Sequence, residues 1–152
     1  MKRQMVKGLT MFFAIVAVAF GTAVAASAQS RPSVITNVPF DFVVGAKTLQ
    51  AGKYVISPNG VDGTPILMIR NSEASNSIFR LTNRIQPDRN KTQARLVFHR
   101  YGQSYFLAEV WMGGDTAGRE LLRSKQESSL RRDLGKLAKN DYETIELVAM
   151  VR

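Results

Sequence analysis

The sequence predicts an all-β, mainly antiparallel domain: a small barrel or sandwich of about seven strands with one helix packed on it near the C-terminal end. Three observations lead there. Apolar residues recur with a period of two in short segments bounded by glycine, proline and asparagine, the pattern of strands with one buried face. Two such segments flank Gly102-Gln103, a two-residue connection with glycine first that suits a type II′ hairpin. Helical periodicity occurs once, late in the chain, so strands and helices do not alternate and a parallel βαβ sheet is disfavoured.

Residues 1–28 carry the features of an export signal. Lys2, Arg3 and Lys7 make a positive start, residues 11–24 are apolar, and Ala26-Ser27-Ala28 offers the small residues that a peptidase needs. The apolar stretch falls short of the ~20 residues that span the hydrocarbon of a bilayer. Cleavage leaves a single β-rich domain at 29–152, periplasmic or extracellular, with no stable transmembrane segment. The chain contains no cysteine, which removes lipid attachment, disulfides, thiol catalysis and thiolate metal sites from its chemistry. Its 21 Lys plus Arg against 12 Asp plus Glu give a formal charge of +9, and the basic excess outlasts the three signal cations. Such a surface attracts anionic envelope polymers or lipid headgroups. Nucleic acid is a poor partner for an exported chain without a recognition motif.

Along the remainder, residues 34–44 read as a strand in which Val38, Phe40, Phe42 and Val44 alternate with Asn37, Pro39, Asp41 and Val43. Pro39 lacks a donor and points to an edge or a bulge. Gly45-Ala46-Lys47 turns the chain, Ala51-Gly52 turns it again, and residues 53–57 form a short strand with Tyr54 and Ile56 on one side. Pro58-Asn59-Gly60 and Asp62-Gly63 mark a loop. Residues 65–71 are nearly continuous in apolar character, as a strand buried on both faces would be, and 77–83 follow as another. After an exposed loop at 85–92 comes the hairpin of residues 94–111. Its expected register sets Tyr101 against Ser104, Arg100 against Tyr105, His99 against Phe106, Phe98 against Leu107 and Val97 against Ala108. Both of its faces are apolar, which makes it central.

Ser124-Lys125-Gln126-Glu127 matches a capping box, with the serine hydroxyl accepting from the first turn and the glutamate reaching back to the cap. A helix over 125–139 follows, with Leu130, Leu134, Leu137 and Ala138 on one face and Arg131, Arg132, Lys136 and Lys139 pointing away. Gly135 weakens it by about 1 kcal/mol relative to alanine. Residues 142–151 close the sheet, with Ile145, Leu147, Ala149 and Val151 in alternation.

Val38-Pro39-Phe40-Asp41-Phe42-Val43-Val44-Gly45, continued by Lys47-Thr48-Leu49, Ala51-Gly52 and Tyr54, resembles the opening block of a family of short exported bacterial β-proteins without an assigned activity. Leu96-Val97-Phe98-His99-Arg100-Tyr101-Gly102 and Tyr105-Phe106-Leu107-Ala108-Glu109-Val110-Trp111 are similar to that family's second block. The likeness covers most of the chain after residue 28. It departs at Gln50, where the family pattern often has proline. It implies no catalytic or binding residue.

His99, the only histidine, sits mid-strand without a nucleophile fixed beside it by sequence, and reads as structural. The acids show no calcium-loop spacing. Asp41, Asp62 and Glu109 have no spacing that would hold two carboxylates across a cleft; Asp41 reads as a solvent-facing strand residue and Glu109 as a partner for Arg95 or Arg100. Tyr101, Tyr105, Phe106 and Trp111 crowd one hairpin, where core packing accounts for most of them. Trp111, at a strand end beside Gly113-Gly114, and Tyr105 are the aromatic positions for a ligand contact. In the basic patch of Arg119, Arg123, Lys125, Arg131, Arg132, Lys136 and Lys139, the positions Arg131, Arg132 and Lys136 are expected to hold the anionic polymer or headgroup. No catalytic residue, cofactor or metal is assigned. The expected function is a non-enzymatic binding or structural role in the envelope or outside the cell, with a small secreted hydrolase assembled only by folding as the alternative. Arg80, Arg95 and Arg100 interrupt the strands and disfavour an outer-membrane barrel.

Overall fold

The computed structural model describes residues 32–59, 65–73, 76–86, 92–114, 117–135 and 142–152. The expected signal at 1–28, Asp62, and the positions Lys136, Leu137, Ala138 and Lys139 lie outside them. Eleven strands are described: β1 Val34–Val38, β2 Phe42–Val44, β3 Lys47–Leu49, β4 Gly52–Pro58, β5 Ile66–Asn71, β6 Ser77–Ile85, β7 Arg95–Tyr101, β8 Ser104–Trp111, β9 Gly118–Leu121, β10 Glu143–Val148 and β11 Met150–Val151. One helix stands among the described residues, α1 at Lys125–Gly135, and no helix among them is long and apolar enough to cross a membrane.

The all-β expectation with a single helix is met, but the sheet is open and mixed, not a closed barrel. Its path runs β10-β7-β8-β9-β6-β5-β4-β1-β11, with β2 and β3 branching from β8. Strands outnumber the expected seven because two long segments break and because Lys47–Leu49 and Gly118–Leu121 form two further short strands. At Pro39-Phe40-Asp41 the chain leaves its pairing with β4 and re-enters as β2, which pairs β3 and lies parallel to β8 through Val43 and Phe106. At Ala149 the closing segment likewise changes partners: β10 pairs β7, whereas β11 pairs β1. Strand β6 serves two neighbours in turn, with residues 77–81 on β5 and 82–85 on β9.

The hairpin is central as expected, and its turn is the type II′ one. Gly102 has φ 60° while no non-glycine residue has positive φ among the described residues, which rules out a type I′ turn with Gln103 at positive φ. The register follows the expectation from Tyr101↔Ser104 to Phe98↔Leu107, then shifts. A bulge sets Val97 against Glu109 instead of Ala108, leaving Ala108 as the extra residue that two-versus-one pairing requires.

The principal core lies between the inner faces of the sheet, where Tyr54, Phe42, Phe98, Ile56, Leu67, Ile69, Leu96 and Val110 are buried. Phe42 packs edge-on to Tyr54 and Phe98 at 5.0 and 5.4 Å between ring centroids, a favourable quadrupole arrangement. The segment expected to be buried on both faces is not. In β5, Leu67 and Ile69 are buried but Ile66 and Met68 are partly exposed and Arg70 is open to solvent, because one face of this half of the sheet has no covering element among the described residues. A second cluster sits on the outer face of β7, β8 and β2, where Tyr101, Phe106 and Val43 pack against Leu130 and Leu134 of α1 and against Tyr142. The helix therefore covers a sheet face, as its apolar stripe implies.

Candidate functional site

Residues on β7 that point away from the principal core face α1, and there the fold gathers its ionisable groups. His99 Nδ1 lies 2.9 Å from Glu127 Oε1. A carboxylate only accepts, so Nδ1 carries the hydrogen. Tyr101 Oη donates to the same oxygen at 3.4 Å, and Arg123, one turn ahead on the helix approach, stands 3.9 Å away. The histidine and glutamate side chains are 11% and 5% exposed. The Tyr142 ring leans on the imidazole at 4.1 Å between centroids. Burial and the neighbouring Glu127 charge push the Tyr101 phenol up to about 12, with Arg123 opposing.

Glu127 reaches this position through half of the expected capping box. Its backbone N–H donates to Ser124 Oγ at 3.0 Å, the N-cap bond. Its side chain does not return to the cap. It enters the sheet interface instead, because His99 and Tyr101 present two buried donors there and the cap N–H does not compete with them. The cluster was hidden from sequence by a separation of 28 residues between His99 and Glu127, and the Ser-x-x-Glu spacing already had a local explanation. His99 reads as structural in sequence, and its ring is held between two elements of the fold.

Beside the pair lies a cavity of about 160 Å³, lined by His99, Ala108, Glu109, Glu120, Arg123 and Glu127 among others. Ala108, the bulged residue, forms part of its wall. Glu109 and Glu120 are direct cross-strand neighbours. Glu109 is not the partner of Arg95 or Arg100: its Oε2 accepts from the Trp111 indole at 2.8 Å, while Arg95 pairs with Glu146 at 3.7 Å and Arg100 with Glu143 at 3.2 Å. Distance in space decided this, since β10 runs alongside β7 and places Glu143 directly opposite Arg100 and Glu146 opposite Val97, diagonal to Arg95. No group of three or more His, Asp or Glu side chains is placed to hold a metal ion among the described residues.

The sequence-derived binding positions are dispersed. Trp111 is 7% exposed, with the Arg95 guanidinium 4.5 Å over its ring. Tyr105 is partly buried and stacks on Phe40 at 3.9 Å, with the Arg100 guanidinium 5.6 Å from its ring centroid. Both rings are thus already in contact with protein groups. Arg131 and Arg132 are exposed on α1, and Arg132 Nε donates to Ser128 O at 3.3 Å. Asp41 is exposed as expected and accepts from the Ala51 N–H at 2.8 Å, which closes the turn before β4.

A larger cavity, about 520 Å³, opens between β3 and the β5–β6 end of the sheet. Leu49, Ile69 and Ile78 contribute apolar wall, and Lys47, Thr48, Gln50, Asn71, Asn76 and Ser77 contribute polar groups. Tyr54 lies below with its hydroxyl donated to Gln50 O at 2.7 Å; burial pushes its phenol up, a bond to Asn71 draws it down and Asp41 raises it again. Pockets that take small ligands run from about 300 to 1,000 Å³, which sets this cavity apart from the one beside His99. No protein-family model, no curated protein and no solved structure matches the chain.

Proposed function

We propose that this chain is an exported, non-enzymatic binding or scaffolding domain of the cell envelope or the cell exterior, related to the family of short exported β-proteins that its two sequence blocks resemble. One observation carries the reading: the His99–Glu127–Tyr101 cluster is spent on joining α1 to β7. A buried imidazole already committed at Nδ1, with a tyrosine sharing its acceptor, fixes the helix rigidly. The helix then displays Lys125, Arg131 and Arg132 outward on a fixed base, suited to anionic polymer or lipid headgroups at about 1 kcal/mol per cation near a charged surface.

Co-sedimentation with vesicles containing anionic lipid, and separately with an anionic wall polymer, tests this. Binding is expected at low salt, to fall as the Debye length contracts below about 8 Å, and to weaken in an Arg131→Gln, Arg132→Gln variant. Binding indifferent to both salt and these substitutions would remove the helix from the account.

A small hydrolase is the second reading, and the polar cavity beside His99 favours it. A hydrolytic centre there would use the imidazole as general base, oriented by Glu127 in the manner of a dyad. Turnover of ester or glycoside substrates that disappears in His99→Gln while the fold persists would replace the binding proposal with this one.

A further inference from the structure

The 520 Å³ cavity is bounded by two strand edges that have no strand partner among the described residues. Strand β3 pairs with β2 alone. In β6, residues 77–81 pair with β5 on one side, and β9 takes over the other side only from Thr82 onward. The cavity lies between these edges: Lys47, Thr48, Leu49 and Gln50 form one wall, and Asn76, Ser77 and Ile78 form the other.

The hairpin geometry says which groups face the gap. Gly45-Ala46 joins β2 to β3 as a two-residue turn with Gly45 at φ 67°, so Val44 and Lys47 form the hydrogen-bonded pair that closes it. The next pair, Val43↔Thr48, is then the non-bonded kind, whose N–H and C=O groups point outward. The Thr48 amide and carbonyl are therefore directed to the cavity side of β3. The two walls are not hydrogen-bonded to each other, yet they are near neighbours: a Cβ on Gly45 would coincide with the guanidinium of Arg80, which reaches from β6 to the β2–β3 turn.

An unpaired edge is what strand addition requires, and here two of them face one cavity. In that mode main-chain hydrogen bonds supply affinity and alternate side chains find pockets. Strand β3 runs antiparallel to β2, which is parallel to β8, while β6 is related to β8 through two antiparallel steps. A guest would thus lie parallel to one wall and antiparallel to the other. Its inward residues would meet Leu49, Ile69 and Ile78; Lys47 and Arg80 stand near one end, and no acid lines the cavity among the described residues. We infer that the gap between β3 and β6 receives an extended segment of a partner polypeptide, apolar at alternate positions and carrying an acidic residue near Lys47, as an added strand. This site is separate from α1 and stands or falls independently of the helix's anionic partner.

The test is a random-peptide display selection on the immobilised full-length protein, counter-selected on Thr48→Pro, which removes the donor that faces the gap and leaves the β2 pairing intact. Enriched peptides should contain alternating apolar residues and an acid. Binding of the most enriched peptide should weaken by about tenfold or more when its alternate backbone nitrogens are methylated, a comparison made on the unaltered protein. Its binding should slow hydrogen exchange at residues 48 and 77–81, and be unchanged in Arg131→Gln, Arg132→Gln. The inference is overturned if nothing is enriched over the counter-selection, if methylation has no effect, or if a neutral oligosaccharide and not a peptide protects those amides.

Discussion

The two halves of the sheet face solvent in opposite ways. On the half built from β7, β8 and β2, the outward residues Tyr101, Phe106 and Val43 are buried beneath α1 and Tyr142. On the half built from β1, β4, β5 and β6, the outward rows also carry apolar residues, with Ile35 against Val55 and Met68 against Phe79, interspersed with Lys53, Ser57 and Arg70. Yet Phe79 is 53% exposed, Leu81 59% and Met150 71%. Hydrophobic alternation is similar in the two halves, so it does not decide which face is covered. The covered face carries polar groups, His99 and Tyr101, that would be costly to bury without an acceptor. Glu127 supplies it, and a helix with only Leu130 and Leu134 as described apolar contacts is thereby held in one place. The bare face offers apolar area without directional partners, and contiguous apolar area of that kind is unusual on a monomer's surface.

The comparison breaks most severely if the covered face loses its largest buried ring. Phe106→Ala should cost about 4 kcal/mol, since it empties the space between β8 and α1, measured by denaturant unfolding with a loss of helical signal. Removing the acceptor comes next. Glu127→Ala leaves His99 and Tyr101 buried without a partner and should cost about 3 kcal/mol; replacing His99, Tyr101 and Glu127 together with Phe, Phe and Leu should recover much of it.

A third effect depends on pH. Tyr101 ionises near 12 in the fold against 10.0 when unfolded, so its contribution is fully present below pH 10. Above that the unfolded chain loses the proton first, and stability falls as pH rises towards 12, by on the order of 2 kcal/mol. Alkaline titration followed by phenolate absorbance and unfolding should show the decline, and Tyr101→Phe should reduce it; Tyr54, whose phenol burial also raises, acts in the same direction. The smallest effect belongs to the bare face. Phe79→Ser with Leu81→Ser should change stability by about 0.5 kcal/mol or less, while reducing self-association in sedimentation.

What was legible in sequence is what is local. The hairpin around Gly102 is specified by neighbours, and its turn type and inner register follow from them. The bulge at Val97 is not, because it depends on how β8 must meet β9 and β2 along one edge. Strand β9 is four residues, Gly118-Arg119-Glu120-Leu121, too short and too charged to alternate; it is a strand because β8 and β6 flank it. Residues 65–71 suggest burial on both sides because Ile66 and Met68 are apolar, and nothing in a sequence says that a face will go uncovered. The same limit hid the candidate site. Ser124 and Glu127 predict a helix start correctly, but the glutamate's second role needs β7 to be beside it.

The pairing of β1 with β11 governs how the domain responds to tension. Val34 lies opposite Val151, and Ser33 and Arg152 exchange backbone hydrogen bonds at 2.8 and 3.3 Å. The first and last residues of the sheet are therefore side by side, at the same end of one antiparallel ladder. Force applied through the chain on either side would open that ladder one bond at a time, like a zipper, instead of shearing all of its bonds together. Mechanical resistance along this direction should be low whatever the thermodynamic stability, and a short loop joining residues 33 and 152 would remove the weak point.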